Sequence, residues 1–392
     1  MEPKVENNKI HKPGKFIFLA LILLYFTIII LASVYSYKNP FYNWDMLGYM
    51  ALVLKMDNAD ITSAHDLTYS IAKHDLPPGY YHNLVDSANL YRKKMKENPI
   101  AFNDHLPFYT IKPLYVRLVY LFYKAGFSLT KATLMPSIFS FILISGLLLY
   151  WLKKYLNYFF AFALSLLVIL STPVLSVAKL STPDALSGLL LFSSFYFILE
   201  KPKLIPFILL MVLSVFSRLD NIIISIAILS LSAFAINSPL KISFRKYALA
   251  FTILILCYLI ISSGTNKYGW NISFYSTFAH YLTSSTYEFQ ENFSVINYLH
   301  LLYLAIVHSF YSSSMTFLFF VLVLLFVYPV PSSLRNMNFD QQFALVLFLI
   351  IVVRLIIFPD ISDRSYLAFY LVSSILLIRK ITNNRDLAAQ NE

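Results

Sequence analysis

Long apolar runs alternate with short polar breaks along almost the whole chain. The runs fall at 16–35, 132–152, 156–178, 182–199, 204–217, 219–236, 247–263, 315–332, 341–358 and 365–379. A membrane-spanning helix needs about 20 apolar residues, and somewhat fewer where neighbours or tilt compensate. The pattern therefore predicts an all-α membrane protein with about ten transmembrane helices. Two further segments are mixed. Residues 112–126 carry Lys112, Arg117 and Lys124 among apolar positions, and residues 294–311 carry His300 and His308. Each can cross the bilayer or lie in its interface as an amphipathic helix.

Loop charge decides between these topologies, because cytoplasmic loops collect Lys and Arg. If both mixed segments lie flat, Lys153 and Lys154, Lys201 and Lys203, and Lys241, Arg245 and Lys246 all share the side of the N-terminus. If both cross, those clusters move outside. The flat arrangement is favoured, with both termini cytoplasmic and Arg379 and Lys380 agreeing. Lys4, Lys9, Lys12 and Lys15 precede the first run, which lacks a small-residue cleavage site and reads as an uncleaved helix. The chain is then one polytopic domain. Residues 36–131 form a large first extracytoplasmic loop containing interfacial helices, and 264–314 form a second external segment. The bacterial plasma membrane is the expected location.

Composition narrows the class. Only 13% of the 392 residues are charged, about half the share in soluble domains. The net charge of +11 sits mostly between apolar runs. Topology accounts for it, and no basic helix or module points to nucleic acid. The single cysteine, Cys257, excludes an intramolecular disulfide. The eight glycines form no dinucleotide fingerprint or phosphate-binding loop, which argues against a Rossmann-type nucleotide-sugar enzyme and an ATP-driven pump.

A charge at mid-membrane costs about 2.5–3.5 kcal/mol on insertion scales, so acidic and basic residues at span ends carry information. Asp45 follows the first run beside Trp44 and Tyr49. Asp184 heads the fourth, Arg218 and Asp220 lie between the fifth and sixth, and Asp363 and Arg364 precede the last. The flat-helix topology puts all of them on the external side. Simpler roles exist for each: Asp184 can merely start a helix, and Arg218 with Asp220 can form a local turn-bracing pair. No histidine pair has zinc-helix spacing. No cofactor is assigned, and a divalent metal is left open.

The order of these elements resembles that of GT-C membrane glycosyltransferases. Asn43-Trp44-Asp45-Met46-Leu47-Gly48-Tyr49 is similar to their first-loop acidic motif. Ile111-Lys112-Pro113-Leu114-Tyr115 resembles their Lys-Pro-Pro-Leu-Tyr external helix. Ser181-Thr182-Pro183-Asp184 resembles a segment that opens a later span, and Asp363-Arg364-Ser365-Tyr366 resembles an Asp-Arg-Tyr segment before a late span. Lipid A aminoarabinose transferases and protein O-mannosyltransferases are the nearest in pattern. Met46 departs from the acidic residue that often follows the first aspartate, and a single proline follows Lys112.

The resemblance implies a polyprenyl-phosphate sugar donor and a glycan, lipid or protein acceptor at the external face. Asp45 takes the place of the general base, with Lys112, Arg218 and Arg364 near the phosphate and Asp184 and Asp220 in the substrate site. Asp104 and His105 can bind sugar hydroxyls, acceptor or an ion, or form only a turn. A transporter or flippase of lipid-linked saccharide and a lipid-linked glycan polymerase or ligase are the rival functions.

Overall fold

The computed structural model describes residues 15–85, 89–265, 268–278, 294–311, 316–328, 336–358 and 362–391. The described chain is helical throughout, apart from one isolated parallel bridge between Phe41 and Leu180. Five helices are long and apolar enough to cross a bilayer: Phe16–Lys38, Leu129–Leu152, Phe244–Gly264, Phe339–Ile357 and Asp363–Asn383. A sixth span results if Tyr158–Ile169 and Thr172–Ala178, bent by 65° at a short break, act together.

The helices run between two distinct ends. Helix α1 (Lys15–Lys38) begins where Phe18 meets Tyr158, at a centroid separation of 4.4 Å. It finishes where Lys131 donates to the Tyr37 carbonyl at 2.8 Å. Because Lys131 lies at the start of α9 (Leu129–Leu152), residues 39–128 leave and re-enter the bundle at the same end. Helix α12 (Asp184–Leu199) runs away from that end, and Glu200 at its far end meets Lys154 and Arg379. Arg379 also pairs with Asp340 at 3.3 Å. The basic clusters after α9, after α12 and late in the last helix thus gather at one end, as the loop-charge argument expects.

Residues 39–128 are a packed cap, where the sequence suggested a loop with interfacial helices. They fold into seven helices: α2 (Asp45–Met56), α3 (Ile61–Asp75), α4 (Pro78–Leu84), α5 (Leu90–Glu97), α6 (Pro99–His105), α7 (Pro107–Thr110) and α8 (Pro113–Lys124). Every residue of α2 from Met46 to Leu54 is buried. These join Tyr69, Phe102, Tyr109, Tyr115 and Val119 in a core of their own, which reaches α9 at Leu129 and Ala132 and α12 at Leu186 and Leu190. Local signals explain the short helices. Asp60 accepts from the Ser63 backbone NH, Asn89 from Arg92 and Asn98 from Ala101, each a side-chain N-cap. Proline opens α4, α6, α7 and α8, where its missing NH costs nothing.

The 12 residues of α8 rise about 18 Å, short of the roughly 30 Å hydrocarbon core. This mixed segment buries Tyr115, Val116 and Val119 against the cap and holds Asp57 with Lys124 at 2.8 Å. After α15 (Phe244–Thr265), α16 (Gly269–Phe278) and α17 (Val295–Tyr311) lie at the cap end, where Trp270 donates to the Ile357 carbonyl at 2.7 Å. His300 is exposed, and the side chain of His308 lies outside the described residues.

The bundle core is apolar and aromatic. Trp151, Phe192, Phe195, Phe207 and Phe343 are fully buried around α12. Helix α13 (Leu204–Ser217), α14 (Asn221–Phe234) and α19 (Phe339–Ile357) pack nearby. The last helix, α20 (Leu367–Asn391), approaches α12 closely at Gly188, where a Cβ would lie 2.7 Å from Leu367.

Candidate functional site

The cap and the bundle meet at a cluster of charges. Asp184 opens α12 with its side chain only 4% exposed. The strand-like stretch before it is fixed from two sides. Phe41 donates its backbone NH to the Lys179 carbonyl at 2.8 Å. Ser137 of α9 donates to the Leu180 carbonyl at 2.7 Å, and Thr133 donates to Ser181 Oγ at 3.0 Å. The carboxylate therefore has a fixed position at a helix N-terminus, where negative charge is favoured.

Arg218 sits in the tight turn between α13 and α14. Its Nε and Nη2 donate to the two Asp220 oxygens at 3.1 and 3.0 Å, a bidentate geometry. Its Nη1 reaches Asp184 Oδ1 and also donates to Ser365 Oγ at 3.2 Å. The turn itself is locked to α12, because Asn221 Nδ2 donates to Ser187 Oγ at 2.7 Å and to the Ser214 carbonyl at 2.9 Å. The local pair read from sequence is present, and it is also one link of a longer network.

Two more guanidiniums complete that network. Arg354, in the last turn of α19, pairs with Asp220, stacks 4.7 Å over the buried Tyr366 ring and donates to the Ser365 carbonyl at 3.3 Å. Arg364, in the 3-10 turn Asp363–Tyr366, lies 3.8 Å from Asp184 Oδ2. At 39% side-chain exposure it is the most accessible of the three arginines, against 17% for Arg218 and 9% for Arg354.

Asp45 belongs to the cap side of the same region. It begins α2, and its charge acts on Tyr49, Tyr109, Tyr115 and Lys112. Lys112 is the hinge between the two halves. It precedes α8, with Nζ 5.6 Å from the Tyr49 ring and 5.4 Å from the Tyr109 ring. It interacts electrostatically with Asp45, Arg218, Asp184 and Asp220 together. Burial holds its ammonium below the ordinary lysine value, with Asp45 opposing that shift.

Gly48 shapes this wall. A Cβ there would sit 2.4 Å from the Tyr109 ring, so only glycine lets that ring lie flat on α2. Two buried polar atoms nearby, the Tyr49 hydroxyl and Asn43 Oδ1, have no hydrogen-bond partner among the described residues. Such atoms are uncommon in folded proteins and call for a water or ligand.

His105 has a different role from the binding residue expected. It is 7% exposed, packed among Trp44, Tyr91, Phe108 and Tyr109. Burial, with Lys112 adding, pushes its pKa down to about 3. The neutral ring has one donor and one acceptor nitrogen. Trp44 Nε1 can only donate, and it reaches His105 Nε2 at 3.3 Å. The Nδ1 therefore carries the proton and donates to the Tyr91 hydroxyl at 2.5 Å. Nε2 also lies 3.0 Å from the Tyr109 hydroxyl, whose position bears on Asp45. The Asp104 backbone carbonyl accepts from the Tyr268 hydroxyl at 2.8 Å.

The structure thus brings together Asp45, Lys112, Asp184, Arg218, Asp220 and Arg364, puts His105 behind them as a support, and leaves Asp104 at the rim. Arg354 and Tyr109 are further members that the sequence reading missed. Arg354 had a signal, as the only charge inside an otherwise apolar run at 341–358. Among the described residues, no group of three His, Cys, Asp or Glu side chains is placed to hold a metal ion. Comparison of the chain with protein-family models, curated proteins and solved structures finds no match.

Proposed function

We propose that the chain is a membrane glycosyltransferase that moves a sugar from a polyprenyl-phosphate donor to an acceptor hydroxyl at the external face. The observation that supports this reading is the buried Asp184–Arg218–Asp220 network of the bundle, joined by Arg364, facing Lys112, which lies over the Tyr49 and Tyr109 rings of the cap within reach of the Asp45 charge. A carboxylate next to a group of cations, beside unpartnered buried polar atoms, suits a reaction that needs one base and a charged leaving-group site.

In this proposal Asp45 accepts the proton of the acceptor hydroxyl as its oxygen attacks the anomeric carbon. The bond from that carbon to the phosphate oxygen breaks, and the lipid phosphate leaves with the electron pair. Lys112, Arg364 and Arg218 stabilise the charge developing on it. The leaving group is already a stable anion, so no second carboxyl is required as an acid. A single displacement of this kind inverts the anomeric centre. The ten-pass topology with cytoplasmic termini belongs to the same proposal, with the bacterial plasma membrane as its setting.

One further feature weighs against the rival transport reading. The charged groups at the two ends of α12 are separated by fully buried Phe192, Phe195 and Ile198. Transporters instead tend to place polar sites and broken helices near the midplane.

The test is a transfer assay in membranes with radiolabelled polyprenyl-phosphate sugars. Asp45→Asn should lower transfer by about 10²–10⁴-fold while leaving expression and donor binding intact. Turnover near that of the wild type would remove Asp45 as the base. Failure of every donor, with uptake or flipping of a labelled lipid saccharide in liposomes, would favour transport.

A further inference from the structure

A second feature lies at the opposite end of the bundle from the proposed active site. Helices α1, α9 and α10 (Tyr158–Ile169) enclose a groove of about 230 Å³, bounded by Leu21, Ile22, Phe26, Gly146 and Phe162. Gly146 lines it, and a Cβ there would meet only the Phe26 ring, at an ordinary contact distance of 3.7 Å, so a larger side chain would project into the slot. Lys153 stands at its mouth. Its Nζ lies 4.3 Å from the Phe18 ring centroid and 4.6 Å from that of Tyr158, so two aromatic rings hold the ammonium in place.

The neighbouring Lys154 is committed to Glu200 at 3.0 Å. Lys153 differs: among the described residues no carboxylate forms an ion pair with it, and its side chain is exposed. An apolar slot on the lipid-facing side of a spanning helix, ending in an unneutralised cation at the interfacial level, has the chemistry of a lipid seat. Basic pockets between transmembrane helices bind anionic headgroups. Long apolar side chains such as Leu21, Ile22 and Phe26 match an acyl chain.

We infer that this groove is a binding site for one anionic phospholipid, its acyl chain between α1 and α9 and its phosphate on Lys153. The site sits at the end where the basic loops gather, away from Asp45 and Asp184. It therefore does not depend on the proposed transfer reaction, and its occupant is distinct from a donor lipid at the cap.

The experiment is native mass spectrometry of the purified full-length protein, titrated with phosphatidylglycerol or with phosphatidylcholine of the same chains. Wild type should retain one phosphatidylglycerol about fivefold more strongly than phosphatidylcholine, as expected for a single lysine near an anionic headgroup. Lys153→Gln should remove that preference, and Lys153→Arg should keep it. Gly146→Leu, which fills the slot, should reduce retention of both lipids. Lys246→Gln, a basic residue at the start of another helix, should change nothing. Equal retention of the two lipids by wild type would overturn the site, as would an undiminished preference in Lys153→Gln. Lys153 is exposed, so that variant carries the test even if Gly146→Leu fails to fold.

Discussion

The two ends of α12 carry ion networks of similar parts but different construction. At the end with Glu200, the carboxylate accepts from Lys154 and from the Tyr155 hydroxyl, and Arg379 bridges it to Asp340. That network ties the turn after α9 and the middle of α20 to the first turn of α19. It resembles a brace, since its charges are matched within the bundle and the Tyr155 hydroxyl bonds the second Glu200 oxygen. At the Asp184 end, three arginines and Lys112 approach carboxylates from four different parts of the chain. Asp220 and Arg364 remain more than a third exposed, whereas Glu200 and Asp340 are at 10% and 13%. One network looks inward and the other opens toward the cap. Buried ion pairs are weak evidence for stability by themselves, so openness, and not charge count, separates a site from a strut.

Removing one partner from each network is the strongest way to break this comparison. Arg218→Met leaves Asp184 buried without its main counter-charge, and Arg379→Met does the same to Asp340. Each should cost about 3–5 kcal/mol in stability, measured by thermal or denaturant unfolding in detergent. The second partner separates them. Glu200→Gln and Asp340→Asn added to Arg379→Met should recover most of the stability and leave sugar transfer near wild type. Asp184→Asn added to Arg218→Met should recover stability without transfer. Recovery of transfer in that second pair would reduce the Asp184 end to a brace as well.

A smaller effect sharpens the cap side. Gly48→Ala forces its methyl group into the Tyr109 ring. Overpacking of this kind costs about 1–3 kcal/mol. Because the Tyr109 ring packs against Tyr49 of α2 within reach of the Asp45 charge, the loss should fall more heavily on transfer than on the melting temperature. Alanine at Gly146, where the neighbouring ring is at ordinary contact distance, should leave transfer unchanged. An equal loss in both variants would mean that Tyr109 does not position Asp45.

Much of this arrangement was legible in the chain. Apolar runs of about 20 residues identify α1, α9, α15 (Phe244–Thr265), α19 and the last helix directly, because lipid demands a uniform surface over that length. Charges at the ends of such runs stand out for the same reason, which is how Asp184, Arg218, Asp220 and Arg364 could be named. The cap was harder to read. Its helices are 4–15 residues long, and their apolar positions face one another across tertiary contacts that no periodicity reports. The burial of His105 was not legible on this account, because a histidine beside an aspartate in a polar stretch carries no signal of it. Trp44, Tyr91 and Tyr109 bury it only once α2, α5 and α7 come together.

That buried histidine gives the mildest of the expected effects. Its folded pKa of about 3 lies below the ordinary 6.5, so between those values the unfolded chain binds a proton that the folded cap excludes. The protein then loses stability as pH falls below about 6.5, by roughly 1.4 kcal/mol at pH 5.5, and this contribution is fully present above it. His105→Gln keeps a donor and an acceptor for Tyr91 and Trp44 but cannot titrate. The variant should lower stability at pH 7.5 yet show a flatter fall from pH 7 to pH 5, followed by hydrogen exchange of cap amides in α2 and α6. The Glu200 end has no histidine among its members, so exchange at the start of α19 should not follow that slope. An identical pH profile in wild type and variant would place the proton elsewhere, and the neutral tautomer that sets Tyr109 beside Asp45 would lose its support.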